Sequence, residues 1–499
     1  MINRVKLYAS LAARAREDLV TRFAGPPEPS PPDSLELVPA RQAWGVPRDD
    51  LFAPAGLPLS IVSRGERLKV GVLAFLQRWL PNDRALSRWD RPTAERELLD
   101  VIGRATPIQG WADAGTDAAW ARLFVAGPLA GHLQREGDDY LLDCTGMRGL
   151  KPHPGLVPLG CRAAVRNEAG GLVPAWVELE DGTRVKPGEP GWERARLVFT
   201  CAMQTWTVIV AHLVHVHYLT TGAFAAAAQL TLPWAHPLRR LLEPHIAGTL
   251  LVNWRANHNL LGATGAVQSA YTYPIESLAT LISRGVEKFD LAHYDLPASL
   301  KRRGLDELAQ SGRYPAAEDG LLIWGVLVRY VRRYVGVYFA TDAQVAADAG
   351  LQAFATQLKR LTVQPPRLDT VDALCAALTR HIHIATVVHK QVGGMAWDFM
   401  TMPWFMPHRL REAATVEEML PYREESEANL IAKWSTTPMS WPLCRDWSSW
   451  AKDEPGAAAM RALQEELKQA GAEIDARNTK RAVPFPYFHP ERLESSVAV

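Results

Sequence analysis

The sequence predicts a mainly α-helical protein with one small β sub-structure near residues 140–185. Long apolar segments with helical spacing follow Trp192, and the clearest of them are residues 321–339 and 372–393. Short β-type runs separated by Gly and Pro, such as YLLDCTG and LVPAWVELEDGTRV, form the β sub-structure. Apolar residues make up 47% of the chain and charged residues 22%, which excludes disordered, collagen-like and coiled-coil classes.

The spacing of apolar and charged residues within residues 1–110 predicts an N-terminal helical segment. Its first residues carry charges every few positions, so they indicate an amphipathic helix and not a secretory signal. A Pro-rich linker at residues 24–34 must be extended, because proline fixes φ and biases the preceding residue away from helix. Residues 111–499 are expected to form one large domain.

Two helices of that domain can be placed in advance. The first is expected to begin at Thr116 or Asp117 as N-cap and to stop at Gly127-Pro128. A second lies within residues 197–238, which contain no Asp, Glu, Lys or Arg. This stretch is long enough to span a membrane, but its histidines, glutamines and threonines suit a buried central helix better than lipid contact. We therefore expect no stable membrane insertion.

Charge and cysteine usage limit the partners and the compartment. Lys and Arg number 55 against 54 Asp and Glu, so the formal net charge is +1 and no broad field concentrates nucleic acid. We expect no nucleic-acid partner, and no pattern requires a protein partner. The five cysteines are far apart and include no CxxC pair, which fits a reducing compartment and predicts a cytoplasmic protein.

Histidines concentrate on two apolar stretches of predicted helix, AHLVHVHYL and HIHIATVVH. Imidazole is the commonest nitrogen ligand of metals, and a buried imidazole is costly to leave without a partner, so these stretches predict a metal site. The six residues are His212, His215, His217, His381, His383 and His389. His236 and His245 each lie beside a proline and near basic residues, and we expect them to be structural.

The run HLVHVHYLTTGA, continuing to HPLRRLLEPHIAGTLLVNWRA, resembles the central segment of lipoxygenases, HxLxxHWLxTHA followed by HPxxxLLxPHxxxTxxIN and Ala-Arg. Other stretches agree in the same order. LPASLKRRG is similar to LPxDLxxRG, YPAAEDGLLIWGVLVRYVRRYVGVYF to YxxxxDGLxxWxAIxxWVxxYVxxYY, and the terminal IDARNTKRAVPFPYFHPERLESSVAV to IxxRNxxxxxPYxYLxPxxIPNSVxI. The resemblance extends from about residue 110 to the last residue.

This resemblance implies a lipoxygenase-like helical catalytic domain over residues 111–499, with non-haem iron beside a buried apolar tunnel. Such enzymes abstract hydrogen from a polyunsaturated fatty acid and add dioxygen. The implied function is a metal-dependent dioxygenase, an oxidoreductase, whose partners are dioxygen and a small apolar substrate, either an unsaturated lipid or an aromatic compound. The family's usual N-terminal β-barrel is not predicted here, because residues 1–110 have helical spacing instead.

The family's ligand pattern is matched only in part. Its iron is held by two histidines five residues apart, a third histidine with an asparagine four residues later, and the C-terminal carboxylate. His217 matches the first of the paired histidines, His389 the third, and Val499 the terminal residue. The other two positions are Gly222 and Gly393, which have no side chain to bind a metal. His217, His389 and the Val499 carboxylate would leave a two-histidine, one-carboxylate site.

Neighbouring histidines could also take over as ligands. The candidates are His212, His215, His258 and His383. His212 is disfavoured by the resemblance, because lipoxygenases often have a histidine there that binds no metal. On a regular helix His215 would point about 160° away from His217. A spacing of five residues between two ligands requires a local π-type bulge.

The resemblance assigns one residue near the reaction, Ala256, to the small position that helps to decide which face and end of a pentadiene receives oxygen. Asn257 replaces the arginine expected beside it. The apolar run at residues 402–406 is typical of core packing, or of a remodelled pocket wall for a bulky or aromatic ligand.

Two alternatives to the oxygenase remain at this point. The chain could keep the fold as a ligand-binding pseudoenzyme without productive metal, which ring nitrogens of His217 and His389 more than about 6 Å apart would favour. The two glycines could also open space for haem, with one of these histidines as axial ligand, although no CxxCH attachment motif is present.

Overall fold

The computed structural model describes residues 111–257, 261, 267, 270–400, 402–421 and 440–498, without the side chains of residues 254 and 255. The helical segment and Pro-rich linker predicted within residues 1–110 lie outside these residues. Val499 and His258 also lie outside them.

The predicted β sub-structure is confirmed as an antiparallel sheet of five strands in the order β1-β2-β3-β4-β5. The strands are β1 Gln134–Glu136, β2 Asp139–Asp143, β3 Arg162–Glu168, β4 Gly171–Glu178 and β5 Arg184–Val185. Consecutive strands pair with one another, and a bulge between Ala164 and Val165 shifts the register of β3 against β4. The order needs no crossover, as expected from short runs joined by turns.

Helix α1, Asp117–Ala126, begins and ends where its sequence predicts. The Thr116 side chain accepts a hydrogen bond from the backbone N–H of Ala119, so Thr116 is the N-cap. Gly127 follows the last helical residue, and its N–H donates to the carbonyl of Leu123. Helix α1 packs against β4 of the sheet.

Helix α2, Trp192–Thr231, runs through the core for 40 residues. Its middle part, Thr207–Gly222, is π-helical. Hydroxyl groups support this winding, because Thr220 and Thr221 each donate to a carbonyl five residues earlier, those of His215 and Val216. In a π-helix the backbone hydrogen bonds also span five residues.

The other helices in the described part of the chain pack around α2. They are α3 Pro237–Ile246, α4 Thr249–Arg255, α5 Ile275–Glu287, α6 Leu296–Arg302, α7 Asp306–Ala309, α8 Pro315–Tyr338, α9 Asp342–Ala347, α10 Ala349–Leu361, α11 Val371–Met400, α12 Val416–Met419 and α13 Glu454–Asn478. Short 3₁₀ turns occupy Ala130–His132, Thr145–Met147, Leu291–Tyr294 and Ser448–Trp450. The protein is therefore mainly helical with one small sheet, as predicted.

Helix α11 is the second long core helix and contains two π-helical stretches, Ile384–Val388 and Lys390–Met395. Its π-helical part packs directly against that of α2, and α4 and α5 also contact α2 there. Both α2 and α11 are long and apolar enough to cross a membrane, but 89% and 67% of their most apolar windows are buried inside the protein. Such burial matches the central-helix interpretation of residues 197–238.

The apolar run at residues 402–406 is part of the main core. Its Met402, Phe405 and Met406 are each at most 3% exposed. Phe405 also contacts Trp111, with ring centroids 5.8 Å apart, and thus joins the end of α11 to the segment before α1. These contacts favour the core-packing interpretation of this run.

Candidate metal centre

Three imidazoles converge where the π-helical parts of α2 and α11 meet. One ring nitrogen from each of His212, His217 and His389 lies within 4.8 Å of the other two. The Nε2 atoms of His212 and His217 are 3.1 Å apart. Two nitrogens bonded to one metal ion at about 2.1 Å can be at most about 4.2 Å apart, so the three rings lie close to the spacing of a shared ion.

The π-helix explains why His212 and His217 meet. Five residues advance about 140° beyond one turn of an α-helix, and the two side chains would then diverge. In a π-helix five residues make about one turn, so both rings lie on the same face of α2, with centroids 4.6 Å apart. His389 lies opposite them on α11, at 5.0 Å from the ring of His212 and 5.2 Å from that of His217.

Asn253 on α4 orients the ring of His217. The Asn253 amide nitrogen donates to the backbone carbonyl of His217 at 3.0 Å, which leaves the amide oxygen facing Nδ1 of the same histidine at 2.8 Å. Nδ1 therefore carries the proton and donates it to Asn253. The Nε2 lone pair of His217 then faces His212 and His389, which is the orientation that a metal ligand needs.

His389 has no hydrogen-bond partner for either ring nitrogen among the described residues, although the residue is only 2% exposed. A buried polar group without a partner is costly, and buried polar atoms in folded proteins nearly always have one. A metal ion between the three rings would give the nearer ring nitrogen of His389 a partner. The residues present therefore fit such an ion.

Burial keeps the three imidazoles in the form that binds metals. Desolvation lowers the pKa of His217 to about 4, and it holds the pKa values of His212 and His389 well below their usual range. All three rings are therefore neutral near pH 7, and neutral imidazole is the ligand form.

Each of the two glycines at family ligand positions leaves space that another side chain occupies. A Cβ atom at Gly393 would lie 2.8 Å from Nε2 of His212. A Cβ atom at Gly222 would lie 2.5 Å from the carbonyl oxygen of His217 and 2.7 Å from the amide nitrogen of Asn253. His212 and Asn253 thus occupy the space next to these glycines.

The expectation that the glycines open room for haem is not supported, because that space is occupied. The ring nitrogens of His217 and His389 also lie closer together than the separation that would favour a metal-free binding protein. Within the described residues, the geometry favours a compact site for a single ion.

The other histidine candidates lie outside this group. His215 is hydrogen-bonded on both sides, to the Tyr294 hydroxyl at 3.0 Å and the Gly285 carbonyl at 2.9 Å. His383 packs edge-on against Trp324. His381 stacks on Phe224, with ring centroids 4.2 Å apart. His258 lies outside the described residues.

His236 and His245 have the structural roles expected of them. The ring of His236 caps α3 by accepting from the N–H of Leu238, and it pairs with Asp348 at 3.1 Å. His245 is buried, with Nδ1 2.9 Å from the carbonyl of Ser495.

Ala256 directly follows α4, three residues after Asn253. Its neighbour Asn257 accepts a hydrogen bond from the Tyr218 hydroxyl, next to His217. The predicted small residue thus lies beside two side chains that contact the histidine-bearing part of α2. Sequence reasoning did not identify Asn253.

Val499 lies outside the described residues, but the residues before it are held inside the protein. Each of the four residues from Ser495 to Ala498 is fully buried, with an exposed fraction of 0%. The backbone N–H of Ser495 donates to the carbonyl of Trp441, and the hydroxyl of Ser496 donates to that of Ala247.

Comparison with known proteins gives consistent matches. The lipoxygenase family profile matches residues 183–443. A human hydroperoxide isomerase, ALOXE3, is 29% identical over 362 residues, which cover 66% of this chain and 50% of the relative. A linoleate 9/13-lipoxygenase from Pseudomonas aeruginosa is 28% identical over 376 residues, covering 67% of this chain and 54% of that protein. The chain spans about half the length of these curated relatives.

Solved structures agree on the fold. A coral 8R-lipoxygenase superimposes with a TM-score of 0.80 at 19% sequence identity, covering 98% of this chain and 82% of the other. A calcium-dependent 11R-lipoxygenase gives a TM-score of 0.75 at 18% identity, covering 82% and 70%. Since the family profile matches more than half of the sequence, the chain belongs to the lipoxygenase family, whose members are dioxygenase oxidoreductases.

Proposed function

We propose that this protein is an iron-dependent dioxygenase of an apolar, unsaturated fatty-acid-like substrate, with iron held by His212, His217 and His389. The observation that carries the proposal is the convergence of one ring nitrogen from each of three neutral imidazoles within 4.8 Å, where the buried His389 has no hydrogen-bond partner among the described residues. Family membership supports the reaction class, and the names of relatives, including a linoleate lipoxygenase, support the substrate class.

The residues of this chain have separable roles in that proposal. Bound iron would supply one-electron redox chemistry for hydrogen abstraction and dioxygen addition. Asn253 holds the tautomer of His217 by accepting from Nδ1. The apolar walls of α2 and α11 keep water away from the three imidazoles, which keeps them neutral.

The Val499 carboxylate stays a predicted further ligand. The burial and hydrogen bonds of the four preceding residues support it, because chain ends without such ties are usually exposed. We also predict dioxygen and a small apolar substrate as the partners, and a cytoplasmic location.

A ligand-binding protein without turnover is the second candidate. The observation in its favour is that two family ligand positions are glycines, Gly222 and Gly393. It shares the fold with the first candidate and differs from it in oxygen consumption.

The decisive experiment measures iron content together with oxygen uptake on linoleate, using protein with an unmodified C-terminus. We expect near-stoichiometric iron and formation of a conjugated-diene hydroperoxide. Single substitutions of His212, His217 or His389 by Ala should each lower iron content at least tenfold. A one-residue extension after Val499 should lower activity if its carboxylate binds the iron.

His381→Gln is the matched control, since His381 lies on the same helix as His389 and outside the three-histidine group. It should retain iron and activity. Iron-loaded protein that consumes no oxygen with linoleate or its hydroperoxide would support the binding protein instead. Iron content that is unaffected by the three alanine variants would refute the ligand assignment.

A further inference from the structure

A small cleft lies on the side of α11 formed by Val387, Val388 and Gln391. Its volume is about 50 Å³, and it lies between this part of α11, the start of α8 and the 3₁₀ turn Leu291–Tyr294. His132, His293 and Arg303, each half-buried, form the outer part of its wall. The buried residues Val387, Val392 and Phe488 line its inner part.

Arg303 brings a positive charge to this cleft that no described carboxylate neutralises. Its guanidinium donates to the backbone carbonyls of Gly131 and Leu133, at 2.8 and 2.6 Å, and to Ser299. No ion pair joins it to any Asp or Glu in the described ranges, whereas the adjacent Arg302 pairs with Asp290 at 2.9 Å. Burial lowers the pKa of Arg303, but an arginine keeps its charge in proteins. A partly buried cation without a counter-ion favours an anionic ligand.

Two stacked imidazoles lie beside that charge. The rings of His132 and His293 are 4.6 Å apart and inclined by only 22°. Desolvation, together with nearby positive groups that include Arg303, lowers the pKa of His132 to about 3, so the ring is neutral. A neutral imidazole offers one N–H donor to an oxyanion and adds no second charge.

His383 supplies an independent indication of a ligand. It lines the same cleft, is only 3% exposed, and neither of its ring nitrogens has a hydrogen-bond partner in the described part of the chain. Among the aromatic side chains that the structure describes, its ring contacts Trp324 in a T-shaped arrangement, with centroids 5.0 Å apart. A buried donor without a partner costs free energy that a polar ligand would recover.

The size of the cleft limits the ligand. A group the size of a water molecule occupies about 10–15 Å³ of cavity volume, so the cleft holds roughly four non-hydrogen atoms with their hydrogens. A carboxylate with one or two carbons meets this limit. The apolar inner residues suit the carbons, and Arg303 suits the charge.

We propose that this cleft binds a short-chain monocarboxylate, with Arg303 as its counter-charge and His383 as a hydrogen-bonding partner. Binding here needs no metal, so the inference goes beyond the proposed reaction. Because the cleft holds only about four non-hydrogen atoms and its apolar residues lie on the inner side, this acid is separate from a fatty-acid substrate and acts as an effector.

The test titrates metal-free protein with propionate by ligand-observed NMR, with propionamide as the neutral probe of the same shape. Propionate should bind and propionamide should bind at least tenfold more weakly. Arg303→Gln should weaken propionate binding at least tenfold. Since Arg303 also holds backbone carbonyls, Ala317→Leu is the second variant, because it fills the cleft from α8 and keeps Arg303 in place.

Arg302→Gln is the matched control, because this neighbouring arginine is exposed and outside the cleft, and it should bind propionate like the parent protein. Absent propionate binding, equal binding of propionamide, or unchanged binding in both cleft variants would each overturn the proposal. Oxygen uptake on linoleate is independent of these results, so failure of the cleft leaves the proposed reaction testable. Propionate should leave the apparent affinity for linoleate unchanged in that assay, and competitive inhibition would contradict a site separate from the substrate.

Discussion

Gly393 and His212 share one small space between α2 and α11. A Cβ atom at position 393 would lie 2.8 Å from the Nε2 atom that we assign to the metal. Gly393→Ala should therefore displace the His212 ring and lower iron content several-fold. The unfolding temperature should change little, because the higher helix propensity of Ala, about 1 kcal/mol over Gly, offsets the cost of displacing the ring. Metal analysis and thermal unfolding of the same sample check both parts.

Gly394→Ala provides the matched control on the same π-helical stretch. Its Cβ atom would meet the flexible Lys390 side chain, at 3.0 Å from Cδ, and not a metal ligand. Iron content should match that of the parent protein. Equal iron loss in the two variants would mean that the helix, and not the His212 ring, is sensitive to added volume.

Asn253 should affect metal affinity without being a ligand. Asn253→Ala removes the acceptor of the His217 Nδ1 proton and the donor to the His217 carbonyl. Loss of such an orienting contact typically weakens metal binding by 10–100-fold. Iron titration should show a drop of this size. Asn257→Ala, which loses the contact with Tyr218 and has no contact with His217 among the described residues, should leave the affinity unchanged. A retained affinity in Asn253→Ala would show that packing alone orients His217.

At the scale of single elements, Glu178 holds three strands of the sheet together. This carboxylate at the end of β4 pairs with Arg162 on β3 and Arg184 on β5, at 3.0 and 2.9 Å, and with Arg148 between β2 and β3 at 2.8 Å. The hydrogen bond from Arg162 is the largest of the effects that lower the pKa of Glu178 to about 2, and the hydrogen bonds from Arg148 and Arg184 follow it. Glu178 is only 8% exposed, but the side chains of its arginine partners are 25–46% exposed, so solvent screens these ion pairs in part.

The lowered pKa gives this contact a defined pH dependence. A carboxyl group whose pKa falls from 4.5 to about 2 on folding stabilises the protein above pH 4.5, and this contribution disappears as the pH falls towards 2. Glu178→Gln should lower the free energy of unfolding by roughly 2 kcal/mol at pH 7, after allowance for the exposed parts of the arginines. The difference from the parent should shrink with acid, as chemical unfolding at several pH values would reveal. Glu168→Gln, at an exposed position of β3, should show neither effect.

Elements with local signals were predictable, and contacts between elements were not. Thr116 and Gly127 mark the ends of α1 in the sequence itself, and the runs within residues 140–185 became strands as expected. Resemblance identified His217 and His389, which the structure brings together. His212 lies five residues before His217, and this spacing was the available local signal for it. The space for its ring beside Gly393, on another helix, could not be read from the local sequence.

At the scale of the whole molecule, Asp319 ties the central helices to the end of the chain. It lies on α8, is fully buried, and pairs with Arg477 on α13 at 3.1 Å and with Arg481 after it at 2.7 Å. Helices α8 and α13 pack along each other, and α8 also packs on α11, which carries His389. The ion pairs thus connect the C-terminal helix with the helix layer behind the histidines.

Removal of the buried Asp319 charge breaks two ion pairs at once, but each arginine keeps a second carboxylate. Glu318 remains for Arg481 at 3.1 Å, and Glu473 remains for Arg477 at 3.0 Å. Asp319→Asn should therefore lower the free energy of unfolding by about 3 kcal/mol, the lower end of the cost of breaking a buried pair.

Asp372→Asn breaks an exposed ion pair, in which the side chain of Arg332 is 58% exposed and that of Asp372 is 81% exposed. This substitution should lower the free energy of unfolding by at most about 1 kcal/mol. Denaturant unfolding of the two variants measures both free energies. Equal losses would mean that solvent screens the Asp319 ion pairs as strongly as it screens the exposed pair.

The glycine at position 393 also makes the effect of one mutation conditional on another. In this chain, loss of the His212 side chain should remove a metal ligand. Once Gly393 has been replaced by alanine and the ring has already been displaced, loss of the His212 side chain should change the free energy of metal binding very little. The two positions form an epistatic pair with strongly non-additive free energies, although they lie far apart in the sequence. Whether the histidine of a related chain acts as a ligand or a bystander is thus encoded jointly, at two sites, and a survey that scores each column separately would misassign it.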